Sequence, residues 1–306
     1  MNKRIRRIIL SALWFLPLEK RAAVSRWLRG MQEYKKLQEA ELVFVTCPKS
    51  GRTWVRIMLS RLLQQRHEFP ATAIVGSTAF HRMHPSLPVV FFTHDTNIGN
   101  YTGNRDTKQD YDGKRIVLLV RDPRDIAVSA YFQWKYRMDR QKRALHTPAL
   151  ENRKLSAYEF ATHPDGSLKK TIDMLNSWDA ALPGLRDALV VRYEDLRNNP
   201  ADWLQRIADF CGLEPTPAEI GDAVQYASLE NMKKMERNAG FGTDSRRFSS
   251  GKQASGDAYK VRRGKVGGFA DYFTAAQAAA VDELINTTLA PRYGYTREPQ
   301  GKIQGQ

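Results

Sequence analysis

Four short apolar runs separated by helical stretches constrain this chain more than any other feature. They are Leu42–Thr46, residues 89–92 (VVFF), residues 115–120 (RIVLLV) and residues 188–196 (ALVVRYEDL), the last read as a strand running into a loop. Short, continuous, β-branched and aromatic runs are the pattern of strands covered on both faces. Between the first two, Val55, Met58, Leu59, Leu62 and Leu63 fall on one face of a helix. After the third, Asp122 as cap and Pro123 in the first turn open another helix. Further helices are expected at about 200–211, 217–226 and 274–288. Strands alternating with helices predict a single α/β domain with a mainly parallel central sheet flanked by helices. Ligands in such sheets bind beyond the carboxyl ends of the strands. The turn at 47–54, His94, Arg121 and Tyr193 would therefore gather on one rim.

The chain has 306 residues and a formal net charge of +15. That length suits one large domain, and the charge favours an acidic partner: nucleic acid, an anionic membrane or a phosphorylated ligand. The two cysteines, Cys47 and Cys211, have no metal-site or disulfide spacing, which suits a reducing, cytoplasmic compartment. Residues 1–40 read as basic amphipathic helices, 41–295 as the domain and 296–306 as a flexible tail. Ile5, Ile8, Ile9, Ala12, Leu13 and Leu16 share one helical face, with Lys3, Arg4 and Arg7 largely elsewhere. Such a helix either lies on an anionic membrane, giving peripheral contact through residues 1–30, or packs on its own domain. The apolar run is too short to span a bilayer.

The turn "CPKSGRTW" carries the sharpest chemistry. A glycine-containing turn from strand to helix aims backbone N–H groups and the positive helix end at an anion. Lys49 adds a point charge, and Ser50 and Thr53 add hydroxyls. The G-x-x-x-x-G-K-[ST] nucleotide loop is absent, and the third strand ends in Arg121 rather than a magnesium-binding aspartate. Both weigh against a magnesium-dependent phosphotransferase.

This turn, "CPKSGRTWVRIML", closely resembles the phosphosulfate loop of sulfotransferases that use 3′-phosphoadenosine 5′-phosphosulfate (PAPS), with Arg52 in place of a threonine. Three more segments, in the same order, resemble that family: "LLVRDPRDIAVSAY", "VVRYEDLRNNP" and "YKVRRGKVGGFADYFT". The resemblance covers about residues 42–290. It implies a P-loop-like site in which Lys49, Ser50, Gly51, Arg52 and Thr53 hold the phosphosulfate. By the same resemblance Arg121, Ser129, Arg262, Arg263 and Gly264 hold the 3′-phosphate. Trp54, Tyr193 and Ser228 lie by the adenine. No metal is called for.

The histidine of the family's K-T-H segment matches His94 in "FFTHDTN" and implies a general base. A histidine near its unperturbed pKa would serve near neutrality; Asp95 would either orient it or cap a turn. Lys49 would stabilise the leaving phosphate of an in-line sulfuryl transfer to a hydroxyl or amine. The family lysine two residues before this histidine is replaced by Phe92, and Ala227 and Leu229 depart from the adenine-side segment. Ala270, Ala275 and Ala279 replace residues of the family's dimer motif, so dimerisation by that route is not expected.

The competing readings are a kinase-like phosphotransferase and a basic nucleic-acid-binding protein. For the latter no recognised module or aromatic-interleaved basic stripe is present, and no nucleic-acid partner is expected. The acceptor pocket would be walled by residues near 76–88, 95–112, 135–165 and 237–260, with Phe80, Tyr101, Phe132, Trp134 and Tyr136 as apolar lining and His81 and His84 in a substrate loop. A lipid or glycoconjugate acceptor would suit an N-terminal helix on a membrane.

Overall fold

The computed structural model describes residues 3–71, 73–76, 79–138, 143, 147–151, 153–238 and 259–296. The expected tail and most of the expected loop at 237–260 lie outside these residues.

Four strands, β1 (Leu42–Thr46), β2 (Val90–Thr93), β3 (Arg115–Val120) and β4 (Asp187–Arg192), form one parallel sheet in the order β2-β1-β3-β4. The register pairs Leu42 with Val90 on one side and with Arg115 on the other, and Arg115 with Asp187. Alternate residues of the central strands enter opposite layers. Val43, Val45, Ile116 and Leu118 pack with α6 (Pro123–Tyr136), α8 (Leu168–Ala181) and α13 (Ala275–Thr288). Leu42, Phe44, Val117 and Leu119 pack with α3 (Arg52–His67), α10 (Pro200–Phe210) and α11 (Pro217–Tyr226). The uninterrupted apolar runs are thus explained by cover on both faces.

The helix start at Asp122 and Pro123 acts as read, and two capping boxes not read from the sequence mark other starts. Asp122 accepts the Arg124 N–H at 2.8 Å with Pro123 opening α6. Thr216 and Thr274 form capping boxes with Glu219 and Gln277. One boundary differs: β4 ends at Arg192, and Tyr193 opens the short helix α9 (Tyr193–Asn198) rather than continuing a strand into a loop. The remaining helices are α1 (Lys3–Ala12), α2 (Leu18–Glu39), α4 (Ala79–Met83), α5 (Ile98–Thr102), α7 (Ala157–Thr162) and α12 (Leu229–Arg237).

Helix α2 is docked on the domain. Gly30 meets α5 and its cap so closely that a Cβ there would lie 2.2 Å from the Asn97 carbonyl oxygen. Leu37 is fully buried. Among the described residues, no helix is long and apolar enough to cross a membrane.

Candidate active site

The carboxyl ends of all four strands border one cavity of about 1020 Å³. Lys49 follows β1, His94 follows β2, Arg121 follows β3 and Tyr193 follows β4, and all four line it. Of the residues expected to hold the donor or act in catalysis, only Ser50 is absent from the wall. Its hydroxyl donates to the Cys47 carbonyl at 2.7 Å, bracing the turn from within.

The turn after β1 is built on two left-handed residues, Lys49 (φ 73°) and Gly51 (φ 94°). Gly51 is required twice over, since a Cβ there would also lie 2.8 Å from the Tyr193 ring. A lysine in this conformation is uncommon and is held by its surroundings. Its carbonyl accepts from Arg121 at 3.3 Å. Burial first, then the charges of Arg137, Lys260 and Arg121, push the Lys49 ammonium well below its usual pKa. Helix α3 starts at the next turn and adds the positive end of its dipole.

Arg121 is fixed on three sides. It donates to Asp125 and to the Lys265 carbonyl, both at 3.0 Å, and lies 4.2 Å over the Tyr193 ring. Its Nε is buried with no hydrogen-bond partner. Asp125, one turn along α6, also accepts the N–H groups of Gly267 and Phe269 at 3.0 Å. One buried carboxylate thus draws the 262–269 segment against the end of β3. Arg262 lies 4.0 Å over the Phe132 ring and shares the Tyr272 hydroxyl with Arg263, which pairs with Asp271 at 2.6 Å. Glu194 accepts the Asp122 N–H at 3.0 Å and the Tyr295 hydroxyl at 2.7 Å, locking α9 and hence Tyr193 to the same rim. Trp54 meets Tyr193 edge-on at 6.1 Å and carries Arg197 at 5.7 Å. Ser228 caps α12, and Ser129 and Gly264 complete this wall.

His94 donates from Nδ1 to the Thr46 carbonyl at 2.6 Å, and the Thr46 hydroxyl lies 3.0 Å from the same nitrogen. A carbonyl only accepts, so the proton sits on Nδ1 and Nε2 keeps its lone pair. Burial, then the charges of Arg52, Lys49 and Lys260, push the imidazole pKa down to about 3, against the opposing Thr46 hydrogen bond. The expectation of an unperturbed histidine is therefore corrected: His94 is a neutral imidazole in a cationic field. Asp95 neither orients it nor caps. It accepts from Lys108 at 2.7 Å, Tyr111 at 2.7 Å and Trp178 at 3.1 Å. Phe92 stacks on Phe44 at 4.5 Å, with the Arg56 guanidinium 5.3 Å over its ring.

Sequence reading missed Asp125, Glu236, Arg137, Lys260 and Arg29. Asp125 was discoverable, because it stands four residues after Arg121, the spacing of a helical ion pair. Glu236 is buried on α12 and accepts the Lys260 and Val261 N–H groups at 2.7 and 2.9 Å; nothing local marks it. The expected aromatic lining is corrected. Phe80, Phe132 and Trp134 are buried in the core, Tyr101 packs on Trp27 and Tyr34, and Tyr136 stacks on Phe132, all outside the cavity wall. His81 and His84 bond locally to the Leu87 carbonyl and the Ser86 hydroxyl. Among the described residues, no group of His, Cys, Asp and Glu is arranged to hold a metal ion.

Comparison with known proteins shows the family and the fold. The model of the sulfotransferase domain family matches residues 39–292. Cytosolic sulfotransferase 13 of Arabidopsis thaliana is 25% identical, covering 84% of this chain and 79% of the relative. Sulfotransferase 2A1 of Mus musculus is 26% identical, covering 83% and 86%. Among solved structures, a mouse sulfotransferase complexed with PAP, the 3′,5′-bisphosphate left when PAPS loses its sulfuryl group, superposes with a TM-score of 0.54 at 18% identity, covering 84% and 86%. A retinol dehydratase complexed with retinol and PAP gives 0.58 at 16%, covering 89% and 88%. These structural likenesses establish a shared fold.

Proposed function

This chain belongs to the sulfotransferase domain family, and from that premise we infer how its cavity works. The protein is a PAPS-dependent sulfotransferase acting on a hydroxyl-bearing acceptor; the phosphotransferase alternative is not favoured. The observation that carries the residue assignments is the meeting of Lys49, His94, Arg121 and Tyr193 at four strand ends.

The cavity wall suits PAPS. Arg121, with its unpartnered buried Nε, and the Arg262–Arg263 pair on the same rim provide guanidinium forks for a 3′-phosphate. Trp54 and Tyr193 offer faces for the adenine, with Ser129, Ser228 and Gly264 around them. The Gly51 turn leaves room for backbone amides to approach the phosphosulfate. When bound, PAPS supplies a sulfuryl group on a phosphate leaving group. Lys49, Arg52, Thr53 and the start of α3 stabilise charge on that phosphate. The Nε2 of His94 takes the acceptor's proton as the acceptor oxygen bonds to sulfur. We read the reaction as needing no metal and as occurring in the cytoplasm. The direct test is transfer of radiolabelled sulfuryl from PAPS to a panel of hydroxyl acceptors. Labelled product from the native protein supports the reading; stable PAPS with every acceptor class contradicts it.

We further propose that residues 1–30 meet an anionic membrane, bringing lipid or glycoconjugate acceptors within reach. Trp14 and Phe15, just after α1, are 76% and 65% exposed, beside a helix whose sequence holds Lys3, Arg4, Arg6 and Arg7. Aromatic tips next to a basic helix suit an anionic interface. The native protein should sediment with phosphatidylserine vesicles, less so at high salt, and the Trp14→Ala/Phe15→Ala double variant should stay in the supernatant. Equal sedimentation of the two proteins would dismiss the contact.

A further inference from the structure

We propose that the acceptor of this sulfotransferase is itself anionic, a hydroxyl-bearing carboxylate or phosphate monoester whose charge is held by Arg137 and Lys260, with Arg29 on the same cavity wall as His94. The proposal rests on the sulfotransferase reading and deepens it by naming the acceptor's class.

The cavity wall that His94 belongs to is basic. Arg29 reaches it from α2, Arg52 from the start of α3, Arg137 from the end of α6, and Lys260 from the segment that leads into the Arg262–Arg263 pair. Asp125 is the one carboxylate on the described cavity wall, and it is engaged by Arg121 and by two backbone amides. The Nε atoms of Arg29 and Arg137 are buried and have no hydrogen-bond partner. Arg52, Arg137 and Lys260 are coupled to one another or to the base, while Arg29 acts on Glu33 of its own helix and Arg137 also feels Glu236. His94 feels Arg52 most, then Lys49 and Lys260, and Lys260 feels Arg52, Arg137 and Arg56.

Gathering like charges in a partly buried wall is costly, and a neutral acceptor would gain nothing from it. A pocket for an apolar acceptor is ordinarily lined by aromatic and aliphatic side chains. Here the aromatic residues of the neighbouring segments, Phe80, Phe132 and Trp134, are spent in the core. The placement of Lys260 is built rather than incidental. Buried Glu236 binds the Lys260 and Val261 amides and so fixes where that lysine leaves the backbone. Burial, then Arg52 and Arg137, bring the Lys260 pKa down to about 7, with Glu236 opposing. A negative group arriving here would restore the full charge of Lys260.

The test is calorimetric titration of the PAP-saturated protein with two matched pairs: para-hydroxyphenylacetate against its amide, and glycerol phosphate against glycerol. The acid of at least one pair should bind about tenfold or more tighter than its neutral partner, the range of one charge-assisted hydrogen bond. Lys260→Met and Arg137→Met should each remove most of that preference while PAP affinity stays within about threefold of native. Loss of anion binding with PAP binding intact identifies the acceptor subsite alone, separately from the donor reading. Neutral partners binding as tightly as the acids, no anion binding at all, an undiminished preference in both variants, or PAP affinity falling in parallel would each overturn the proposal.

Discussion

Replacing His94 with alanine is expected to lower kcat by about 10²–10⁴-fold, the contribution of a positioned general base, while PAP affinity is kept. The expectation follows from one hydrogen bond. The Nδ1 of His94 donates a hydrogen bond to the Thr46 carbonyl at 2.6 Å, so Nε2 keeps its lone pair on a residue that lines the cavity. Strand β1 therefore sets the protonation state of a residue that follows β2, and the parallel register of the two strands is part of the chemistry. The pH profile separates this role from packing. Because burial and the charges of Arg52, Lys49 and Lys260 hold the imidazole pKa near 3, the base form persists as pH falls. The kcat/KM should consequently show no acid limb at the ordinary histidine value of about 6.5. In the ternary complex the donor's negative charge offsets those cations and raises the pKa, so kcat should lose activity at higher pH than kcat/KM does. An unchanged kcat in His94→Ala, or an acid limb of kcat/KM at the ordinary value that His94→Ala abolishes, would reject this description.

Lys49→Ala is expected to cost about 10²–10³ in kcat, the effect of removing one preorganised group from developing charge. Lys49 stands just before the braced Ser50 and Gly51, in a left-handed conformation that a lysine takes only when neighbours impose it. Its carbonyl is held by Arg121, which ties the turn after β1 to the expected 3′-phosphate clamp. Lys49→Gly separates the backbone from the charge. Glycine accepts φ 73° without strain, so the turn should be kept and the activity still lost. If Lys49→Gly matched the native rate, the ammonium would have no part in the reaction.

Much of this site was legible in the sequence because strand ends and turns carry their own punctuation. The apolar runs of β1 and β3 placed the turn at 47–54 and Arg121 on one rim, and Asp122 with Pro123 marked the start of α6. What was not legible depends on side chains meeting across the fold. Asp95 was read beside His94 because it follows it in the chain, yet it serves Lys108, Tyr111 and Trp178 instead. The aromatics near 132–136 were read as pocket lining, but helical periodicity does not say which face of α6 meets the core, and Phe132 and Trp134 are buried there. Glu236 is far from the quoted motifs and Lys260, though inside YKVRRGKVGGFADYFT, matches none of the positions given a role there; their joint placement appears only once α12 and the 259–269 segment are side by side. Tyr193 was placed on the right rim but in the wrong element. The strand pattern runs on through 193–196, and helix α9 is held by Glu194 through the distant Tyr295.

The central claim is a donor site that recognises a 3′-phosphate through arginines. Its most direct measurement is thermal unfolding of the native protein and of Arg121→Met with PAP and with ADP, each with and without magnesium. Binding to the folded state alone raises the melting temperature by mass action. The native protein should be stabilised by PAP irrespective of magnesium and much less by ADP, and Arg121→Met should lose most of the PAP shift. Stabilisation by magnesium–ADP with none by PAP, or a PAP shift of equal size in Arg121→Met, would contradict it.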